Sequence, residues 1–361
     1  MKNIQDVDKN FKVETKLEEK DIIFYDVKDK PFDLYGFYSA EKNDQFIRLP
    51  HDLAKDVNEG VAGLYRHTAG GRVRFKTNSP YIAISAKLPL IQRFPHMPLT
   101  GTSGFDMYSF SNGRYKYEKT FVPPLDMEEG YEAVHHFFND NRDMKDITIN
   151  FPLYNDVAEL YIGVAEGSEI LPGDKYIGEK PIVYYGSSIT QGGCASRPGN
   201  AYQAMITREL NRDHINLGFS GSAKAEDNIV EYISNMEMSC FVMDYDHNAP
   251  SPEYLEATHK KMFDKIREKN PDLPIILMSS PFAAGWAAPS DVMEIRKNLV
   301  LDTYNKAKAD GDENVYFIDC GKLYGGEDNF DCGSVDGCHP TDLGFMHMAK
   351  AVTEVLNKIF K

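Results

Sequence analysis

The sequence predicts an α/β protein in which an all-β sandwich, of jelly-roll-like type, precedes a three-layer α/β/α domain built on a parallel sheet. Apolar residues alternate with period two from about residue 21 to 171, and short apolar strands then alternate with helical stretches. The 361 residues are enough for two domains with separate cores. Because the pattern changes after Pro172-Gly173, we place the domains at residues 1–175 and 176–361.

Short strands separated by turn residues occupy the first half. Val73 and Phe75 alternate with basic residues, and residues 105–120 predict a hairpin in which Asn112-Gly113 supplies the positive φ angles of a tight type I′ turn. Such alternation places one face of each strand in a core and the other in water. Many short strands of this kind are typical of a β-sandwich.

Strand and helix patterns alternate through the second half. The predicted strands are 182–185, 215–217, 240–244, 275–278 and 315–319. The predicted helices are 201–210, 227–235, 254–269, 292–309 and 345–360. This order favours a mainly parallel sheet covered by helices, with ligands bound at the carboxyl ends of the strands.

Charge and hydropathy narrow the range of partners. The formal net charge of -15 would repel nucleic acids and anionic membranes, and no basic tract offsets it. No apolar run approaches the roughly 18 residues of a membrane span, and residues 1–20 lack the apolar core of a secretory signal. We therefore expect a cytoplasmic protein that binds neither nucleic acid nor membranes, and the sequence leaves a homo-oligomer open.

Cysteine and histidine spacing argues against a disulfide or a metal site. The cysteines are odd in number and form no Cys-x-x-Cys pair, which favours free thiols in a reducing compartment. They are Cys194, Cys240, Cys320, Cys332 and Cys338. His135 and His136 are adjacent on a predicted strand, so their side chains point to opposite faces. We expect no metal and no cofactor.

A small polar turn, Gly186-Ser187-Ser188-Ile189-Thr190, follows the first strand of the second half. At the carboxyl end of a buried strand, a serine stands on a rigid support and can act as a nucleophile. The alternative is structural, because serine is also a common helix N-cap. The turn alone leaves both interpretations open.

The sequence Asp336-Gly337-Cys338-His339 comes just before the last predicted helix. A carboxylate three residues before a histidine can hydrogen-bond the imidazole Nδ1, which leaves Nε2 to accept a serine proton. The alternative is an acidic turn with an incidental histidine. Together with the serine turn, the pattern favours a serine nucleophile served by a histidine base.

Two further turns could supply hydrogen-bond donors to a reacting carbonyl oxygen. Residues 218–222, with the sequence Gly-Phe-Ser-Gly-Ser, follow the second strand, and Asp246-His247-Asn248 follows the third. Glycine and asparagine at such places are usually plain turn or cap residues, so this alternative stays open. His247 is a rival candidate for the base.

In order and spacing, these four segments resemble the sequence blocks of the SGNH/GDSL hydrolase superfamily. The family's Gly-Asp-Ser turn is matched by Gly186-Ser187-Ser188, which implies that Ser188 is the catalytic serine. The closing Asp-x-x-His of the family is matched by Asp336 and His339. The resemblance covers the chain from about Pro181 onward and implies the SGNH-type α/β/α fold and ester hydrolysis without a metal or cofactor.

The same resemblance implies an oxyanion hole. The glycine of the family's second block is matched by Gly221, and the third block, usually Gly-x-Asn-Asp, retains only Asn248. The backbone N–H groups of Ser188 and Gly221 and the side chain of Asn248 would then hold the oxygen of the tetrahedral intermediate.

The first half, with Phe32-Asp33-Leu34-Tyr35-Gly36 and Thr68-Ala69-Gly70-Gly71-Arg72, is similar to the β-sandwich domain that precedes such catalytic domains in bacterial carbohydrate esterases. The whole chain resembles the acetylxylan esterases, which implies removal of acetyl groups from acetylated xylan or xylo-oligosaccharides. The alternatives are a lipid or thioester acylhydrolase and a non-catalytic carbohydrate-binding protein. Trp286, after the fourth strand, would either stack on a sugar or pack in the core.

Overall fold

The computed structural model describes residues 7–8, 12–13, 16–42, 44–281, 290–321, 323–324 and 332–361. It has two antiparallel sheets in the first half of the chain and one five-stranded parallel sheet in the second. The predicted fold class, antiparallel sheets followed by a parallel-sheet α/β/α domain, is therefore confirmed, while the jelly-roll-like type stays a prediction. The boundary at residues 175 and 176 stays a prediction; the last strand of the first half ends at Pro172 and the parallel sheet begins at Ile182.

The antiparallel strands are β1 (Ile22–Asp26), β2 (Asp33–Tyr35), β3 (Arg72–Thr77), β4 (Tyr81–Lys87), β5 (Phe105–Ser111), β6 (Arg114–Phe121), β7 (Gly130–His136), β8 (Lys145–Asn150), β9 (Glu159–Ala165) and β10 (Ile170–Pro172). One sheet has the order β1-β9-β4-β7 and the other β3-β8-β5-β6, with β2 and β10 both paired to β3. Most connections pass from one sheet to the other, so the two sheets enclose a common core.

The period-two pattern accounts for that core. Val73 and Phe75 of β3 are fully buried, and they lie opposite Ile149 and Ile147 of β8. Apolar residues of β4 and β9, in the other sheet, belong to the same buried cluster. The alternation predicted from the sequence thus places one face of each sheet in the sandwich interior. The prediction that the opposite face lies in water is wrong for β3, where Arg72 and Arg74 are also buried.

The hairpin predicted at Asn112-Gly113 is present. Strands β5 and β6 pair with Ser111 opposite Arg114, and the two residues between them have φ angles of 51° and 74°. Positive φ at both central residues is the geometry of a type I′ turn, which matches the twist of the flanking strands.

The first half also contains helices α1 (His51–Val57), α2 (Glu59–Leu64) and α3 (Leu99–Thr102). The parallel strands of the second half are β11 (Ile182–Gly186), β12 (His214–Gly218), β13 (Cys240–Asp244), β14 (Ile275–Met278) and β15 (Val315–Ile318), in the sheet order β12-β11-β13-β14-β15. The helices of the second half are α4 (Ser188–Gln191), α5 (Tyr202–Leu210), α6 (Asp227–Ser234), α7 (Pro252–Lys269), α8 (Ser290–Ala309) and α9 (Asp342–Ile359). All strands and helices predicted for this half are present, close to their predicted bounds.

Helices α1 and α2 pack against the parallel sheet, an arrangement that the sequence pattern did not predict. Ala54 and Val57 of α1 and Val61 of α2 are buried in the same apolar cluster as Val183 of β11 and Leu217 of β12. Helices this short repeat their apolar residues over too few turns for periodicity to identify them. Part of the first half therefore completes the core of the second.

Arg48, just before α1, reinforces this connection. Its guanidinium is buried and donates hydrogen bonds to the backbone carbonyls of Leu64 (2.7 Å), His67 (2.7 Å), Asn216 (3.2 Å) and Gly218 (2.5 Å). The last two carbonyls belong to the carboxyl end of β12. Burial lowers the pKa of Arg48 to about 9, so the group still carries its charge at neutral pH.

Replacing Arg48 with methionine should destabilise the protein by about 3 kcal/mol or more, because several buried carbonyls lose their donor at once. Urea-induced unfolding measures the change. Arg114→Met, in the exposed hairpin, is the matched control and should stay within about 0.5 kcal/mol of the parent protein. Equal effects of the two substitutions would contradict the role given to Arg48.

Candidate active site

Ser188 lies at the carboxyl edge of the parallel sheet. Strand β11 ends at Gly186, where a Cβ atom would be 2.1 Å from both the Asp244 carbonyl oxygen and Thr190 Oγ1, so only glycine fits. The side chain of Ser187 then caps α4 by accepting a hydrogen bond from the Ile189 N–H at 3.1 Å. The sequence left open whether the serine of this turn is a helix N-cap. In the structure the N-cap is Ser187, and Ser188 is the first residue of the helix.

Ser188, His339 and Asp336 form a continuous set of hydrogen bonds. Ser188 Oγ is 3.0 Å from His339 Nε2, and His339 Nδ1 is 2.7 Å from Asp336 Oδ2. Because a carboxylate accepts only, the imidazole proton is on Nδ1 and Nε2 is left as the acceptor. The arrangement can transfer the serine proton to the imidazole while Asp336 stabilises the resulting imidazolium.

The loop that carries Asp336 is closed by its own hydrogen bonds. Asp336 Oδ1 accepts from the backbone N–H groups of Cys338 (3.0 Å) and His339 (2.7 Å), and Ser334 and Pro340 form an isolated β-bridge. Burial raises the pKa of the Asp336 carboxyl, but the hydrogen bonds from the backbone and ring of His339 outweigh it and lower the pKa to about 2. Asp336 is therefore ionised at neutral pH.

The two predicted donor segments flank the serine because β12 and β13 flank β11. In the pairing register, Gly186 lies opposite Gly218 of β12 and Asp244 of β13, so all three strands end at one level. Gly221 follows β12 with φ of 67°, and Asn248 ends a short 3-10 helix that follows β13. Both segments thus follow strands that lie on either side of the strand leading to Ser188.

Asn248 is oriented by a backbone contact. Its Oδ1 accepts a hydrogen bond from the Ala223 N–H at 3.3 Å, so the donor end of the amide, Nδ2, points away from that contact. The same bond joins the Gly221 loop to the Asn248 segment. The roles predicted for Gly221 and Asn248 in an oxyanion hole stay predictions.

His247, the rival base, has a different hydrogen-bond partner. Its Nε2 lies 3.1 Å from the Pro281 carbonyl oxygen and so carries the proton of that bond. Burial is the largest influence on the pKa of His247 and lowers it. Asp244, three residues earlier, instead accepts hydrogen bonds from the Thr190 and Tyr202 hydroxyls at 2.9 and 3.0 Å.

Gln191, the last residue of α4, connects the serine helix to the Gly221 loop, and sequence reasoning missed it. Its Oε1 accepts from the Ser220 N–H at 3.0 Å, while Nε2 donates to the Leu153 carbonyl at 3.2 Å and to His67 Nδ1 at 3.1 Å. Burial lowers the pKa of His67 to about 3, so this ring is neutral and can accept. A glutamine just after a predicted turn carries no local sequence signal for such a role.

The first half of the chain also contacts the serine directly. The Tyr154 hydroxyl donates a hydrogen bond to the Ser188 carbonyl oxygen at 3.1 Å, and the ring of His96 lies 5.6 Å from the ring of His339. These residues, like His67 and Leu153, come from segments that connect the sandwich strands. The candidate site is therefore shared by the two halves of the chain.

The remaining sequence predictions concern Trp286 and the thiols. Trp286 lies outside the described residues. All five cysteines are free, with Cys194 buried in the loop after α4. Among the described residues, no helix is both long and apolar enough to cross a membrane.

The fold and the site together indicate an ester-hydrolysing enzyme. Residues 179–357 match the GDSL-like lipase/acylhydrolase family, and residues 22–170 match the family described as the N-terminus of Esterase_SGNH_hydro-type. The chain belongs to this GDSL/SGNH family. No curated protein sequence matches it.

Solved structures agree with this assignment. A protein described as a GDSL-like lipase from Bacteroides ovatus ATCC 8483 is 28% identical with a TM-score of 0.84, over 94% of this chain and 98% of that one. A salicylyl-acyltransferase from a tetracycline biosynthetic pathway is 19% identical with a TM-score of 0.75, over 95% and 98%. An acetyl xylan esterase from the rumen bacterium Butyrivibrio proteoclasticus is 13% identical with a TM-score of 0.56, over 93% and 98%. The last two, being so distant in sequence, support the fold alone.

Substitution of the two adjacent serines should separate catalysis from capping. Ser188→Ala should abolish hydrolysis of an aryl acetate, whereas Ser187→Ala should keep substantial turnover and lose about 1 kcal/mol of stability with its cap. Steady-state rates and urea unfolding on both variants measure this. An inactive Ser187→Ala with an active Ser188→Ala would move the nucleophile by one residue.

The oxyanion role of Asn248 predicts an effect on kcat alone. Asn248→Ala should lower kcat roughly 100- to 1000-fold with little change in KM, because the hydrogen bond strengthens only in the transition state. Asn235→Ala, which removes an exposed amide that bonds only within its own helix end, is the control and should leave kcat unchanged. A near-native kcat for Asn248→Ala would remove the residue from the site.

Proposed function

We propose that the protein is a serine esterase that removes acetyl groups from acetylated xylan or xylo-oligosaccharides through an acyl-serine intermediate. The observation that carries the proposal is the hydrogen-bonded set of Ser188, His339 and Asp336. It joins the nucleophile to an oriented base, which is the arrangement that acyl transfer requires.

In this mechanism Ser188 Oγ attacks the ester carbonyl carbon while its proton passes to His339 Nε2. The negative oxygen accepts hydrogen bonds from the N–H of Ser188, from the N–H of Gly221 and from Asn248 Nδ2. The first N–H groups of a helix have no intrahelical acceptor, so the Ser188 N–H is suited to this role. The ester C–O bond then breaks, and His339 returns the proton to the departing sugar oxygen.

Water completes the cycle. His339 takes a proton from the water as its oxygen attacks the acyl carbon, and the proton returns to Ser188 Oγ as acetate leaves. Each step is performed by groups of this chain. The ionised Asp336 supports the positive charge on the imidazole at both stages.

Packing beside the nucleophile supports a small acyl group. A Cβ atom at Gly193 would lie 2.9 Å from Tyr154 Oη, 3.0 Å from the Ser188 carbonyl oxygen and 3.2 Å from His339 Cδ2. The loop after α4 thus fits closely against the serine and the imidazole, which leaves little width on that side. The carbohydrate part of the proposal rests on the sequence resemblance to carbohydrate esterases.

A longer acyl group is the second candidate, and the GDSL-like lipase from Bacteroides ovatus, similar over nearly the whole chain, favours it. The cytoplasmic location expected from the sequence belongs to the proposal as well. There, short acetylated xylo-oligosaccharides are a more suitable substrate than polymeric xylan.

An acyl-chain series decides between these candidates. We expect kcat/KM for aryl esters to be highest for acetate and to fall toward octanoate, because the packed wall beside Ser188 restricts longer chains. The protein should also release acetate from acetylated xylo-oligosaccharides, and Ser188→Ala is the control for spontaneous hydrolysis. A maximum at octanoate would favour the acylhydrolase, and aryl acetate turnover without any release from the oligosaccharides would reject the carbohydrate substrate.

A further inference from the structure

Three metal-ligand side chains from distant parts of the sequence meet beside the nucleophile. His96 lies in the sandwich half, Cys194 follows α4, and His339 precedes α9. One ligand atom from each lies within 4.8 Å of the others. This juxtaposition is not used in the esterase mechanism, and no spacing motif in the sequence indicates it.

The orientation of His339 determines which of its atoms faces the cluster. Its Nδ1 is 2.7 Å from Asp336 Oδ2, so Nε2 is the nitrogen left for a metal, and it is also the atom 3.0 Å from Ser188 Oγ. Histidines that bind metals commonly donate their other ring N–H to a carboxylate, which fixes the ring and raises the basicity of the ligating nitrogen. Asp336 already provides this interaction.

Cys194 is held in place by the loop that carries it. The backbone has φ of 72° at Cys194, an unusual conformation for a non-glycine residue. The Gly193 N–H donates to the Ser188 carbonyl oxygen at 2.7 Å, and the Ala195 N–H donates to the Gly192 carbonyl oxygen at 3.1 Å. The thiol therefore lies in a loop that is hydrogen-bonded back to the backbone of Ser188.

His96 gives the cluster access to solvent. Its side chain is exposed, and its ring contacts those of Phe94 and His339 at centroid distances of 6.3 and 5.6 Å. Within the described part of the chain, neither ring nitrogen of His96 takes part in a hydrogen bond. An incoming ion would thus meet an imidazole at the surface and a fixed thiol and imidazole behind it.

We propose that His96, Cys194 and Nε2 of His339 form a binding site for a thiophilic divalent metal ion, Zn²⁺ in particular, and that its occupancy inhibits the enzyme. Two imidazoles and one thiolate suit Zn²⁺, whose Zn–N and Zn–S distances of about 2.0–2.3 Å place tetrahedral ligands about 3.3–3.6 Å apart. Side-chain shifts on the order of 1 Å bring the cluster to that geometry. A water molecule or Ser188 Oγ would complete the tetrahedron.

Metal binding and ester hydrolysis would then exclude each other, because both use His339 Nε2. The thiol releases one proton to solvent as the metal–sulfur bond forms, and the Nε2 lone pair binds the metal in place of the serine proton. Only the inhibition rests on the proposed function of His339. The metal binding itself is independent of it.

The test uses the whole protein, stripped of metal with a chelator and titrated with Zn²⁺ or Co²⁺. Calorimetry should show one Zn²⁺ per chain, and Co²⁺ should produce a sulfur-to-cobalt charge-transfer band. His96→Ala should weaken Zn²⁺ binding at least tenfold, and Cys194→Ser should also remove the band. The matched controls are His136→Ala, which replaces an exposed histidine on β7, and Cys332→Ser, which replaces an exposed cysteine. Both variants should bind Zn²⁺ as tightly as the parent protein does.

Aryl acetate hydrolysis provides the second readout. Zn²⁺ should inhibit the parent protein at the concentrations that fill the site, chelator should restore the rate, and His96→Ala should need at least tenfold more Zn²⁺. Parent-like Zn²⁺ affinity in His96→Ala would overturn the proposal, and this exposed position keeps the test valid if Cys194→Ser folds poorly. If no ester is hydrolysed, the proposed function fails, while the calorimetry and the cobalt spectrum still decide whether the site exists.

Discussion

The buried guanidinium of Arg48 is the constraint on which the arrangement of the molecule depends. A cation without water must have its N–H groups satisfied, and here backbone carbonyls from both halves of the chain satisfy them. The group also lies over the ring of Phe219, 4.6 Å from its centroid, where the chain leaves β12 for the Gly221 loop. The end of β12 is thereby held to the sandwich half, and with it one side of the candidate active site.

The candidate active site also depends on hydrogen bonds between the two halves of the chain. Tyr154 bonds the serine helix, and His67 and Leu153 bond Gln191, which in turn holds the loop that contains Gly221. Each contact joins a segment between sandwich strands to a segment at the carboxyl edge of the parallel sheet. The first half of the chain is therefore part of the structure of the second half, since it supplies both apolar core residues and hydrogen bonds around Ser188.

Most of the architecture could be predicted from the sequence because it is encoded locally. Alternation with period two revealed the sandwich strands, the change of rhythm after Pro172 revealed the parallel sheet, and Asn112-Gly113 revealed a turn. The pairing of Asp336 with His339 was predictable for the same reason, since the two side chains meet within one short loop. Helices α1 and α2 were missed because they are too short to show a period. Gln191, Tyr154 and the cluster of His96 with Cys194 were missed because only the tertiary fold brings them to the serine.

Ser187 illustrates how a departure from a family pattern can be physically neutral. The family turn has aspartate where this chain has Ser187, and the structure shows that the side chain caps α4 by accepting the Ile189 N–H. Serine and aspartate are among the best N-cap residues and are nearly equivalent in that role. Either residue can therefore hold the first turn of α4, so the acidic residue of the motif is not required to place the following serine at the start of the helix.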